Sequence, residues 1–251
     1  IDSISGFKSV TIIKREINYG LADSIIDGVN YLSSKYGRVI VLEDDLETSP
    51  FFLKYMNDAL NFYEQDERVG SISGYMYPVS LPVNEHVFLA KAPQSWGWAT
   101  WAKEWGLFEK DGKKLKRKIQ SIGAEREFEK NGPHSYMKML EGQIGGKNDS
   151  WFIRWYASCL LNNKLTLMPV KSLIANIGID GTGTHCAQWK YDPFMGPVSN
   201  KKIEVDLLLD DDKKNIEVVI VLCRYYKKIK KMRIINFLYR LFSNLRDKRS
   251  V

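Results

Sequence analysis

Val39-Ile40-Val41-Leu42-Glu43-Asp44-Asp45 is the stretch on which the reading of this chain turns. Four apolar residues in unbroken succession mark a strand covered on both faces, the habit of strands inside α/β proteins. Three carboxylates follow with no spacer. Upstream, Leu21, Ile25, Val29 and Leu32 recur at helical spacing, so 21–34 is predicted as an amphipathic helix ended by Gly37. Residues 9–13 (Ser-Val-Thr-Ile-Ile) are predicted as a strand before it. Downstream, Ser49 suits an N-cap and Pro50 a first helical position. Phe52, Met56, Ala59, Leu60 and Tyr63 then line one helix face. Strand, helix, strand, acidic loop and helix predict an α/β fold with a largely parallel sheet. Ligands of such sheets bind beyond the carboxyl ends of the strands, where Glu43, Asp44 and Asp45 fall.

Further strands are predicted at 69–77, 87–90 and within 165–177, and helices at 109–131 and 151–161. The chain has 251 residues with 44% apolar, 12% aromatic and 27% charged, which excludes disordered and fibrous classes. Three cysteines, Cys159, Cys186 and Cys223, exclude a disulfide scaffold and fit a reducing compartment. No apolar run reaches the ~18 residues of a spanning helix. The net charge of +7 is unevenly placed: residues 223–251 hold ten bases and one acid, so the rest of the chain is slightly acidic. That argues against nucleic-acid binding by the body.

Adjacent carboxylates after a buried strand are costly unless a cation or hydrogen-bond donors compensate them. Successive side chains point to opposite faces, so at most two can converge. Mg²⁺ or Mn²⁺ suits such a site, held by one or two carboxylates plus substrate phosphates. The plain alternative is a solvated loop in which Glu43 or Asp44 caps a turn.

The segment from Val39 to Tyr55, with its Glu-Asp-Asp-Leu-Glu run and Pro-Phe-Phe helix start, resembles the metal-binding segment of GT-A glycosyltransferases. It is most similar to the N-acetylglucosaminyltransferase I group and to bacterial enzymes that build surface polysaccharides. The resemblance implies a nucleotide-sugar donor, with Asp45 the direct metal ligand. Asp44 and Glu43 would contact donor hydroxyls or metal-bound water. The helix from Gly20 to Asn30 resembles the one lining the nucleotide pocket, which puts Asn18 and Gly20 among the donor-binding candidates. Ser95–Trp101 resembles the acceptor segment, and Asp149-Ser-Trp-Phe-Ile-Arg154 the segment that carries the catalytic base. The family's opening βα unit would then lie upstream of Ile1. Two carboxylates commonly precede the Trp of the family's base segment, whereas Asn148-Asp149-Ser150 stands here.

Inverting transfer needs one carboxylate to take the acceptor's hydroxyl proton, and Asp149 is the candidate; N-capping of the following helix is its other reading. Trp96, Trp98, Trp101 and Trp105 crowd into a short segment. They are either core fillers or, for Trp98 and Trp96, platforms for a sugar ring. Gly178, Gly181 and Gly183 permit a loop that closes over phosphates. His185 is a candidate third metal ligand or phosphate donor, and otherwise a surface residue. At the C-terminus, Tyr225, Ile229, Met232, Ile235, Leu238, Phe242 and Leu245 form a helical seam among lysines and arginines. This basic amphipathic helix, 224–246, reads as lying on an anionic membrane, or else as docked on the body.

The sequence thus predicts a GT-A-like α/β domain over 1–200, with a mixed, mostly parallel sheet flanked by helices and lacking its first βα unit. A helical extension follows over 201–251. The expected activity is metal-dependent inverting glycosyl transfer to a polysaccharide or lipid-linked acceptor, cytoplasmic and peripheral on the inner face of the membrane. A nucleotidyltransferase and a non-catalytic carbohydrate-binding module are the rival readings.

Overall fold

The computed structural model describes residues 5–129, 135–178 and 192–247, with the side chains of Asp212 and 233–247 outside the description. Helix α1 (Gly20–Tyr36) leads into strand β1 (Arg38–Val41). Gly37 makes the turn between them in the left-handed region (φ 77°), its N–H donating to the Ser33 carbonyl at 2.7 Å. After the acidic run come β2 (Leu46–Thr48), α2 (Phe52–Phe62) and β3 (Val69–Ser73). Then follow β4 (Val87–Ala90), β5 (Trp98–Trp101), α3 (Ala102–Trp105), α4 (Gly112–Ser121), α5 (Glu125–Phe128) and α6 (Tyr136–Ile144). Helix α7 (Trp151–Leu161), β6 (Leu165–Pro169), β7 (Ile174–Asn176) and α8 (Asp212–Asp247) complete the described chain.

The architecture is mixed α/β. A five-stranded sheet has the order β1-β5-β3-β6-β4, and β2 pairs with β7 in a separate antiparallel ribbon. Only β3 and β6 form a parallel pair; the other three neighbouring pairs are antiparallel. This corrects the expectation of a mostly parallel sheet. The reason lies in β5 and β4. Strands β1, β3 and β6 all run the same way, as alternation of strand and helix requires. Strand β5 is wedged between β1 and β3, and β4 is added at the far edge, both reversed.

The predicted strand at 9–13 does not form. Those residues are exposed and irregular, with Val10 48%, Ile12 44% and Ile13 60% exposed. The predicted α1 is present, but the buried row is Ala22, Ile26, Val29 and Ser33, while Leu21 and Leu32 face outward. Helix α2 begins two residues later than expected: Ser49 accepts from the Phe51 N–H at 3.2 Å and forms a turn ahead of the helix.

Side chains alternate cleanly across β1 and β5. Val39, Val41 and Trp98 turn to one face, where α1 and α7 supply Ala22, Ile26, Val29, Trp151, Trp155 and Cys159. Ile40, Ala99 and Trp101 turn to the other, into a core built with Phe52, Met56, Leu60, Ile72, Phe88 and Leu167. The first half of α8 closes that second core with Val218, Leu222, Tyr226 and Ile229. Both faces of β1 are therefore covered, although it is an edge strand paired only with β5 among the described residues.

Gly97 connects the two halves of this arrangement. Its φ is +55°, and a Cβ there would meet Ile174 Cδ1 at 2.7 Å. Gly97→Ala should destabilise the fold by roughly 2–4 kcal/mol, from left-handed strain plus overpacking against β7. Denaturant titration of the two proteins would measure it; a loss within error of zero would refute the tight approach of β7 to this segment.

Candidate active site

The carboxyl ends of β1, β3 and β6 lie at one end of the sheet. Asp45 is half-buried on the turn between β1 and β2. Its backbone carbonyl accepts from the Ile177 N–H at 2.8 Å, and its Oδ2 from the Asn176 side-chain amide at 3.1 Å. The β2–β7 ribbon makes this possible, because Leu46 is the register partner of Asn176. A Cβ on Gly178 would meet Asp45 Oδ2 at 2.8 Å, so only glycine lets the chain pass so close. The second oxygen, Asp45 Oδ1, is buried with no hydrogen-bond partner among the described residues. A buried carboxylate oxygen left open is costly, and a hydrogen-bond donor or a cation would satisfy it.

Asp44 is exposed and Glu43 half-buried. Burial pushes the Glu43 carboxyl up to about 7, helped by the negative charges of Asp45 and Asp44. Glu43 is thus partly protonated at neutral pH when nothing positive is near. Among the described residues no group of three or more His, Cys, Asp or Glu gathers as a ready metal cage. Asp45 with one neighbour would suit a cation that takes its remaining ligands from water and phosphate, as Mg²⁺ and Mn²⁺ do. His185, Gly181 and Gly183 lie outside the described residues.

Asp149 reaches the same end of the sheet by a chain of contacts. Val41 is the register partner of Trp98. Trp98 stacks on Trp151, their centroids 5.1 Å apart and planes 21° apart. Trp151 opens α7, two residues after Asp149. The cap of α7 is Ser150, whose side chain accepts from the Ile153 N–H at 3.2 Å. Asp149 is therefore not used as the cap and projects with its side chain 62% exposed. It faces the amino end of α1: a Cβ on Gly20 would lie 3.3 Å from Asp149 Oδ2. Asn18 shapes that end, its Oδ1 accepting from the Gly20 N–H at 2.8 Å.

Behind Asp149 is a guanidinium to which the sequence reading assigned no role. Arg154 has its side chain only 4% exposed and places Nη2 3.8 Å from Asp149 Oδ1. Its Nε donates to the Ser150 carbonyl at 3.1 Å, while Nη2 makes no hydrogen bond among the described residues. Burial holds the Arg154 guanidinium below its ordinary value, and the charges of Asp149 and Asp23 oppose the shift.

Trp98 is corrected. It is 1% exposed, packed by Trp151, Trp105 and Trp155, and presents no face to a sugar. Trp101 and Trp105 are also core. Trp96 is the half-exposed member, edge-on to Tyr75 and Phe194. A cleft of about 520 Å³ opens beyond the carboxyl ends of β3 and β6, lined by Met76, Tyr77, Val79, Lys171, Ser172 and Lys201 among others. Ser172 precedes Asn176 by four residues, so one short segment of chain links the cleft wall to the Asp45 contact.

No known family model matches this chain, and no curated protein matches it.

Glu43 sets a pH signature. A carboxyl whose folded value is raised binds its proton more tightly folded than unfolded. Its contribution is fully present below about 4.5, the unfolded value, and is lost as pH rises through about 7. With chelator present, the melting temperature should decline over that window, and Glu43→Gln should flatten the decline. A decline unchanged in Glu43→Gln would remove Glu43 as its source.

Proposed function

We propose that the chain is a metal-dependent inverting glycosyltransferase that moves a sugar from a nucleotide-sugar donor to a saccharide acceptor. The observation that carries this reading is Asp45 at the carboxyl end of β1, with Oδ2 held by Asn176 and Oδ1 buried and unpartnered. A strand-end carboxylate left open on one side is what a diphosphate-bridging cation requires. The similarity of Val39–Tyr55 to GT-A enzymes points the same way.

Asp45 would hold the cation together with Glu43 or Asp44. A bound Mn²⁺ or Mg²⁺ would supply charge neutralisation for the departing nucleoside diphosphate. Asn18 and Gly20, at the amino end of α1, are placed to border the donor. Asp149 is exposed toward that same helix end and is free of capping duty. It would accept the proton of the acceptor hydroxyl as that oxygen bonds to the anomeric carbon. The bond from that carbon to the diphosphate oxygen breaks on the opposite side, inverting the centre. Arg154 would keep the Asp149 carboxylate oriented through the ion pair at 3.8 Å. The cleft at Tyr77, Ser172 and Lys201 would take acceptor units beyond the one being extended.

Thermal shift against a panel of nucleotide sugars and nucleoside diphosphates, with and without Mn²⁺, tests the donor half. Stabilisation is expected only with metal, and Asp45→Asn should abolish it. Metal-independent binding, or none across the panel, would sink the reading. For the base, Asp149→Asn should retain the metal-dependent shift and lose about 10²–10⁴-fold in turnover. Near-normal turnover would remove Asp149 from the mechanism.

A further inference from the structure

Helix α8 carries apolar residues on two sides, and among the described residues only one of them is packed. Val218, Leu222, Tyr226 and Ile229 are buried, at 2%, 7%, 6% and 2% exposure, and belong to the larger core cluster. Tyr225 donates to the Pro193 carbonyl, and Lys214 pairs with Glu85 at 2.7 Å. The seam that the sequence offered to a membrane is thus taken up by the body at Tyr225 and Ile229. A different row faces outward. Ile216, Val219 and Ile220 are 60%, 56% and 42% exposed, and half-buried Cys223 extends their spacing. Lys227, Lys230 and Lys231, all exposed, continue the same row for the next two turns. In sequence the spacing goes on at Ile234, Phe237, Leu238 and Leu241.

We propose that this outward row of α8, Ile216-Val219-Ile220-Cys223 followed by Lys227, Lys230 and Lys231, is a docking surface for an anionic lipid bilayer. Charge complementarity selects the occupant. From 213 to 232 the exposed charges are Lys213, Arg224, Lys227, Lys228, Lys230 and Lys231 against Glu217 alone. Asp210 and Asp211 lie at the amino end, where Asp211 Oδ1 caps the helix by accepting from the Lys213 and Lys214 N–H groups. Size argues against a second copy. Three exposed aliphatic side chains on under two turns offer far less than the ~800 Å² per partner of a standard interface. A bilayer needs only shallow insertion of an apolar row edged by cations. Among the described residues no helix is long and apolar enough to cross a membrane, so α8 would lie on the surface. Because its opposite row is fixed in the core, that contact would orient the whole body rather than tether it by a loose tail.

The test is sedimentation of the full chain with vesicles of phosphatidylcholine containing phosphatidylglycerol, against phosphatidylcholine alone, at low and moderate salt. The chain is expected to sediment only with the anionic vesicles. Lys227→Glu, Lys230→Glu and Lys231→Glu together should weaken partitioning on the order of a hundredfold. Ile216→Ser, Val219→Ser and Ile220→Ser together should weaken it about tenfold or more while leaving melting unchanged, since all three are exposed. No sedimentation with anionic vesicles at low salt overturns the proposal. So does a serine variant that binds like the parent, or a parent dimer that the serine variant converts to monomer while vesicles bind neither. The assay needs no donor, metal or acceptor, so its failure leaves the transferase reading standing, and failure of that reading leaves the lipid surface standing.

Discussion

The indole of Trp98 lies between the carboxyl end of β1 and the amino end of α7, and the geometry of the acidic end follows from it. On one side it is in register with Val41, the last residue of β1. On the other it stacks on Trp151, with Trp155 and Trp105 closing around it. Helix α1 packs on the same cluster through Ala22, Ile26 and Val29. Size rather than polarity accounts for the choice of tryptophan. The Nε1 groups of Trp98 and Trp155 are buried and find no partner among the described residues, at a cost of about 1–3 kcal/mol each. Burying so large a ring outweighs that cost, since truncating a buried Trp typically loses about 3–5 kcal/mol. The proposed base is thus positioned by this apolar cluster, and the strand that leads to the proposed metal ligand packs on the same cluster.

The direction of the sheet shows what local patterning can and cannot specify. The run Val39–Leu42 was legible as an unbroken apolar stretch and the Phe52–Leu60 face by its helical period, while the strand expected over 69–77 forms over Val69–Ser73. They form a β1-α2-β3 unit whose two strands run parallel. Whether two parallel strands are neighbours is a separate matter. Here β5 enters between them, held by Ile72–Ala99 and Ser73–Trp98 register on one side and Arg38–Trp101 through Val41–Trp98 on the other. Nothing local to Trp98–Trp101 announces that placement. Residues 9–13 are the opposite failure: their composition suits a strand, but no neighbour among the described residues pairs with them, and β-propensity reflects fit to a packed, paired surface.

The site divides in the same way. Asp45 could be found because its meaning lies in the residues beside it. Asn176 could not, since it meets Asp45 only through the β2–β7 ribbon, 131 positions apart in sequence. Gly178 was noticed as loop glycine, yet its structural reason is the 2.8 Å approach to Asp45 Oδ2. For Asp149 the choice between cap and base depended on one residue. Ser150 takes the cap, and the carboxylate beside it is left for other chemistry. Trp98 and Trp96 are two positions apart, and the sequence reading favoured Trp98 as the sugar platform. The pleat of β5 buries the first, while the second, just ahead of the strand, keeps an accessible edge.

Helix α8 carries that argument to its limit. A periodicity search weights one side of a helix against the other, and this helix is apolar on both. The row at Val218, Leu222, Tyr226 and Ile229 and the row at Ile216, Val219 and Ile220 differ little in composition. Only the first finds the core. A helix apolar on two sides must bury both to reach its lowest free energy in water. One burial is supplied by the protein itself. The charges decide what suits the other: the lysines continue the outward row and leave the inward one free of them. An apolar row interrupted by cations is poorly matched to a protein core and well matched to the boundary between acyl chains and anionic headgroups.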